Sequence, residues 1–183
     1  DKIDISKNHI LSFLGKEIIV GKSFLDIGCG SGLHSVAALQ AGASLVRSFD
    51  FDPISVEAAR YVHYQVGSPE NWLIEQGSVL DQDYISQLGT YDIVYSWGVL
   101  HHTGDVWGAM RNAAKCLKDE GLLYISLYSS DVQIDPTPEF WLEIKKKYIS
   151  SGWLGKRSID LWYIWRFYLD RKIKNIPGFI NRI

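Results

Sequence analysis

The chain has 183 residues, 46% of them hydrophobic and 22% charged, with a formal net charge of −2. That length suits one domain with a sizeable core, and no apolar run approaches the ~20 residues of a membrane span. No charged-then-apolar leader opens the chain, although it begins at Asp1 rather than Met, so trimming of a targeting segment stays open. Two cysteines far apart, Cys29 and Cys116, supply no disulfide framework, which predicts a reducing, cytoplasmic setting. The charge is unevenly placed. Residues 1–140 hold 9 Lys and Arg against 18 Asp and Glu, whereas residues 141–183 hold 10 against 3. An acidic core over 1–130 followed by a basic, aromatic-rich extension over 131–183 is the organisation this predicts.

In chain order, Ser6 to Leu14 reads as an amphipathic helix, capped by Ser6, with Ile10, Leu11, Phe13 and Leu14 as its apolar face. Strands and helices then alternate: strand Ser23–Ile27, helix 33–41, strand Leu45–Phe49, helix 53–65, strand Trp72–Gln76 and a helical turn near 82–88. Strand Asp92–Ser96, helix 105–117 and strand Leu122–Tyr128 complete the series. Pro53 suits a first helical turn, and Gly121 suits a stop after a helix. Five short strands joined by crossovers imply a doubly wound α/β fold, its mostly parallel sheet covered on both faces. Asp135-Pro136-Thr137-Pro138 reads as a stiff linker, Glu139 to Ile149 as a helix, and Ser158 to Lys174 as another. Trp162, Trp165 and Leu169 recur at helical spacing and are expected to pack as core, with Lys and Arg outward. The extension reads as a lid or insertion rather than an independent domain; its basic, aromatic surface could alternatively dock an acidic partner.

The most informative stretch is Phe24-Leu25-Asp26-Ile27-Gly28-Cys29-Gly30-Ser31-Gly32. A short buried strand runs into three glycines at alternate positions, and a helix follows at once. Backbone there can approach a ligand closely, at the carboxyl end of a strand and the amino end of a helix. Asp26 precedes the turn, and Asp50 ends the next strand, placed to accept from both hydroxyls of a ribose. A dinucleotide fingerprint would need glycine where Leu33 stands, so an NAD-dependent oxidoreductase is disfavoured.

These residues resemble the first motif of class I S-adenosylmethionine-dependent methyltransferases, an acidic residue followed after one position by Gly-x-Gly-x-Gly. Ser48-Phe49-Asp50-Phe51-Asp52-Pro53, Gln76-Gly77-Ser78-Val79-Leu80-Asp81 and Asp92-Ile93-Val94-Tyr95-Ser96-Trp97-Gly98-Val99-Leu100-His101-His102 follow in the family's order. The resemblance covers residues 20 to 130 and implies a Rossmann-like sheet of order 3-2-1-4-5 with S-adenosylmethionine as cofactor. The family's closing sixth strand and antiparallel seventh are not evident. Either helices replace that edge or the chain is a fragment of a longer protein, and the tail, which looks like an insertion before strand six, favours the fragment.

The resemblance implies that Gly28, Cys29 and Gly30 line the methionine part of the cofactor and that Asp26 orders its ammonium end. Asp50 takes the ribose and Phe51 lies along the adenine. Ser78, Val79 or Asp81 meets the adenine amino group, since the acid usual after the third-motif glycine is here Ser78. Ser96 and Trp97 lie where cofactor and acceptor should meet, although Trp97 also reads as a core aromatic. Asp52 reads as a helix cap rather than a ligand. His101 and His102 are the candidate catalytic bases, each also readable as a structural histidine. His34, His63 and that pair lack metal-ligand spacing.

Transfer to a small or medium-sized acceptor, possibly aromatic or lipid-like, is the expected reaction. Nucleobase amino methylation is disfavoured by Ser96-Trp97-Gly98-Val99 in place of Asp/Asn-Pro-Pro-aromatic, and cytosine-ring methylation by the lack of a Pro-Cys nucleophile. The competing readings are a cofactor-binding module without catalysis and a nucleic-acid-binding protein working through its basic tail. Oligomeric state is not legible.

Overall fold

The computed structural model describes residues 2–128 and 136–169. The chain divides after Tyr128 into two compact units. The first opens with α1 (Lys2–Leu14) and a short α2 (Lys16–Ile19), then alternates β1 (Ser23–Ile27), α3 (Leu33–Ala41), β2 (Leu45–Asp50), α4 (Pro53–Gln65), β3 (Trp72–Gln76) and α5 (Gln82–Leu88). It continues through β4 (Tyr91–Trp97), a single 3₁₀ turn over Leu100–His102, α6 (Val106–Lys115) and β5 (Leu117–Ser126). The five strands are all parallel, in the order β3-β2-β1-β4-β5. Among the described residues no sixth or seventh strand follows, and no helix is long and apolar enough to cross a membrane.

Alternation along each strand builds two cores. Phe24, Val46, Trp72, Ile93 and Tyr95 face one way and pack with Ile10, Leu14, Ile19, Val36, Ala37 and Ala38 of the helices α1 to α3. Leu25, Ile27, Phe49 and Val94 face the other way, onto Ile85, Leu88, Ala109 and Ala113 of α5 and α6. At the amino ends, Asp92 accepts from the amide and hydroxyl of Ser23 and from Lys118 Nζ, tying β1, β4 and β5 together. The Ser23 hydroxyl and amide, then Lys118, hold its carboxyl well below the usual carboxylate range.

Three local expectations are corrected. Helix α1 starts at Lys2, so Ser6 is a buried residue inside it rather than its cap, and Phe13 is exposed. Gly121 does not stop a helix: α6 ends at Lys115, and β5 begins at Leu117, opposite Tyr91. The register shifts between Tyr91 and Ile93, with Glu120 at φ 61°, so Gly121 sits at a bulge. A Cβ on Gly121 would lie 2.9 Å from Lys118 O and 3.2 Å from Asp92 O, which only glycine avoids.

The second unit holds α7 (Pro138–Ser150), capped by Thr137, and α8 (Trp153–Tyr163), continued by a π-helical turn over Ile164–Leu169. Helix α8 thus begins five residues before its predicted start, and its predicted end at Lys174 lies outside the described residues. Trp141 meets Tyr163 and Phe167, and Phe140 meets Trp162. No residue of either helix is buried, and Trp165 is exposed, contrary to its expected place in a core; the side chain of Leu169 lies outside the described residues. Two short helices enclose too little volume to bury bulky rings between them.

Candidate cofactor and active site

The carboxyl ends of β1, β2 and β4 meet where the strand order reverses, the place where open parallel sheets leave a crevice. The glycine turn fills its floor. Gly28 N and Cys29 N both donate to Phe49 O, at 2.9 and 3.1 Å, and Gly32 N donates to Cys29 O at 2.8 Å. Gly32 has φ +75°, and a Cβ there would lie 2.7 Å from the Trp72 ring, so side-chain bulk is excluded on two counts. Gly30 has φ +53° with nothing within 4 Å of its missing Cβ: its open face can be approached by a ligand.

Asp50 is held by two backbone amides. Gly30 N donates to its Oδ2 at 2.9 Å and Asp52 N to its Oδ1 at 3.0 Å. A carboxylate can accept about four hydrogen bonds, so each oxygen keeps capacity for one more donor. Two adjacent hydroxyls match that demand. Asp52 caps α4, accepting from Ile54 N and Ser55 N, as the sequence predicted.

A cavity of about 360 Å³ opens beside Asp50, within the usual range for small-molecule sites. From the predicted set it is lined by Gly28, Asp50, Phe51, Ser78, Val79 and His102. Sequence reasoning missed Ile27, Phe49, Gly77, Leu80, Val99 and Thr103; the apolar residues among them read in the sequence as strand or turn residues without polar chemistry. Asp81 does not line the cavity, because its carboxylate caps α5 by accepting from Tyr84 N. Ser78 remains on the wall, its hydroxyl accepting from Leu80 N at 3.2 Å.

Ser96 and Trp97 do not line the cavity either. The Ser96 hydroxyl is buried and donates to Ile27 O at 3.0 Å, joining β4 to β1. Trp97 turns to the opposite face, edge-on to His9 at 4.3 Å and stacked on Tyr124 at 6.1 Å. Strand alternation and the tight sheet decide both directions.

Asp26, Cys29 and Gly30 stand at the turn without lining the cavity. Asp26 is only 2% exposed, and its Oδ2 accepts from Ser35 at 2.6 Å. Burial raises its pKa to about 7; the Ser35 hydrogen bond opposes the rise and the nearby Asp50 charge adds to it. Burial, aided by the two carboxylates, likewise pushes the Cys29 thiol up, so it stays protonated. His102 is exposed at the cavity wall, whereas both ring nitrogens of His101 are buried without a partner. Burial and the adjacent His102 lower the pKa of His101, which favours its neutral form. Tyr128 lies against His101, with ring centroids 4.4 Å apart. Among the described residues no group of three or more His, Cys, Asp or Glu could hold a metal.

The chain is similar in sequence and in fold to known methyltransferases. It is 26% identical over 115 residues to the ubiquinone biosynthesis O-methyltransferase of Vibrio campbellii, covering 63% of this chain and 47% of that protein. It is 29% identical over 135 residues to the ribosomal protein L11 methyltransferase of Photorhabdus laumondii, covering 70% and 45%. The chain thus spans about half the length of these relatives. An O-methyltransferase family protein from Burkholderia thailandensis shares the fold, with a TM-score of 0.61 at 20% identity over 78% of this chain and 42% of that one. The family profile described as a methyltransferase domain matches residues 6–177. With the glycine turn, the amide-held Asp50 and the 3-2-1-4-5 sheet in place, the chain belongs to the methyltransferase-domain family, in its class I, S-adenosylmethionine-dependent branch.

Proposed function

We propose that the chain binds S-adenosylmethionine at the carboxyl edge of the sheet and transfers its methyl group to a small or medium-sized acceptor. The carrying observation is Asp50, whose two oxygens are each oriented by a backbone amide and each left with room for a hydroxyl donor beside the cavity. Phe51 offers a flat apolar face next to it, and Ser78 and Val79 offer polar atoms for an adenine edge. Gly30 leaves the turn open to an amino-acid end, near the carboxylate of Asp26.

When bound, the cofactor supplies a methyl group activated by a sulfonium. The protein's part is alignment and exclusion of water, effects worth roughly 7–11 kcal/mol through effective molarity. His102 is the wall residue able to take a proton from an acceptor hydroxyl or amine. His101 stays neutral behind it and packs against Tyr128, which supports a structural part for that ring. The relatives are named for ubiquinone biosynthesis and for ribosomal protein L11, so their acceptors differ in class from one another.

Calorimetry with S-adenosylmethionine, S-adenosylhomocysteine and NADH tests the reading. Both sulfur ligands should bind and NADH should not, and Asp50→Ala should weaken both by at least tenfold, the scale of losing charged hydrogen bonds. Failure of a folded wild-type protein to bind either sulfur ligand would sink the reading.

A further inference from the structure

Behind the glycine turn, four buried side chains from four elements form an unbroken line. Trp72 of β3 donates from Nε1 to Ser48 Oγ at 2.8 Å. Ser48 of β2 and Ser35 of α3 share a hydrogen bond of 2.7 Å between their hydroxyls. Ser35 donates to Asp26 Oδ2 of β1 at 2.6 Å. All four side chains are at least nine-tenths buried.

The ends fix the direction of the line. An indole N–H can only donate, an ionised carboxylate can only accept, and each hydroxyl has one proton. With Ser35 spending its proton on Asp26, Ser48 must donate to Ser35 and accept from Trp72. Protonating Asp26 at Oδ2 would reverse the two hydroxyls and strand the Ser48 proton against the indole N–H in a dry site, at the cost of an unsatisfied buried donor. The arrangement therefore keeps Oδ2 an anchored acceptor, and the Ser35 hydrogen bond favours the ionised form of Asp26 against its burial.

We propose that Ser35, Ser48 and Trp72 are positioning residues, a one-way hydrogen-bond line that holds Asp26 as an oriented carboxylate for the ammonium group of the S-adenosyl cofactor. The inference rests on the cofactor reading above and adds to it the residues that make Asp26 fit for that task. Trp72 has a double part, since its ring also closes under Gly32 and so ties the line to the turn that the ligand approaches. The titratable groups flanking Asp26 are Cys29 in the turn, Asp50 on β2 and Tyr95 opposite it on β4, whose hydroxyl pairs in turn with His34 of α3. Burial pushes the thiol and the Tyr95 phenol up and His34 down to about 4, which leaves those three neutral near pH 7.

The test compares S-adenosylhomocysteine with 5′-methylthioadenosine, which keeps adenosine and sulfur but has no amino-acid end, using the full chain and calorimetry. Ser35→Ala should weaken the first about tenfold or more and the second less than twofold, and the selective loss should shrink as pH is raised from about 7 to about 9 and Asp26 ionises without its donor. Ser48→Ala should follow in the same direction with a smaller effect. Trp72→Phe, which removes the N–H but keeps a ring under Gly32, supplies the readout should a serine variant fail to fold. In an Asp26→Asn background, adding Ser35→Ala should change neither ratio. Equal losses for both ligands, or no loss beside a clear effect of Asp26→Asn, would overturn the relay and leave the cofactor site standing. A wild-type protein that binds neither ligand would overturn both.

Discussion

Asp26 carries a conflict that can be measured without any ligand. Its carboxyl moves from an ordinary 3.8 to about 7 on folding, chiefly through burial. Between those values the folded protein holds a proton that the unfolded chain has released, so stability falls as pH rises from about 4 to about 7 and the full loss persists above. Asp26→Asn keeps an oxygen for Ser35 and never ionises. Its gain over wild type should be close to zero at pH 4 and on the order of 4 kcal/mol at pH 8, read by urea unfolding at both values. A gap of the same size at both pH values would show that desolvation of the charge is not the cause. Asp26 and Asp50 were legible in the sequence because acids beside a glycine turn and at a strand end have few structural reasons to recur in that order. Ser35 and Ser48 were not legible. Their partnership depends on Asp26 lying opposite Ser48 in the sheet and on which side of α3 faces β1, neither of which spacing alone reveals.

At the scale of elements, periodicity placed the five strands and the helices between them, and errors gathered where a local signal had two meanings. Gly121 reads equally as a helix stop and as a bulge. Only the shifted pairing of Tyr91 and Ile93 with β5 decides between them. Gly121→Ala is therefore expected to destabilise by about 1–3 kcal/mol, because the new methyl meets the carbonyl oxygens of Lys118 and Asp92 rather than yielding side chains. Thermal unfolding should show a midpoint several degrees lower; an unchanged midpoint would mean the bulge relaxes freely. Ser96 and Trp97 illustrate the same limit. Sequence put both at the right end of β4, and strand alternation then sent one hydroxyl to Ile27 and the other ring toward α1. A motif locates an edge of a sheet, but the face each residue takes follows from register.

Across the whole molecule, the two units differ in how they use apolar residues. The first encloses Phe24, Phe49, Tyr95 and their neighbours almost completely, while in the second Leu142, Ile149, Trp153, Leu154, Leu161 and Trp165 remain exposed. Composition sets the two parts apart in charge, yet it could not show that the aromatic helices bury nothing, since burial depends on how much protein surrounds them. The strand order has a consequence in time. β1 lies at the centre, flanked by β2, which follows closely in the chain, and by β4, whose pairing with it must close a loop through two intervening strands and three crossovers. The turn after β1 needs the carbonyl of Phe49 from one side and the Val99 side chain against Gly28 from the other. The ligand pocket is thus assembled only after the slowest pairing of the sheet has formed. In a refolding experiment from urea, helix should return first by circular dichroism and capacity to bind S-adenosylhomocysteine should lag behind it; simultaneous recovery would mean that β1, β2 and β4 come together in one step. A newly made chain, on this account, cannot capture its cofactor until the residues of β4 and the turn after it have been synthesised.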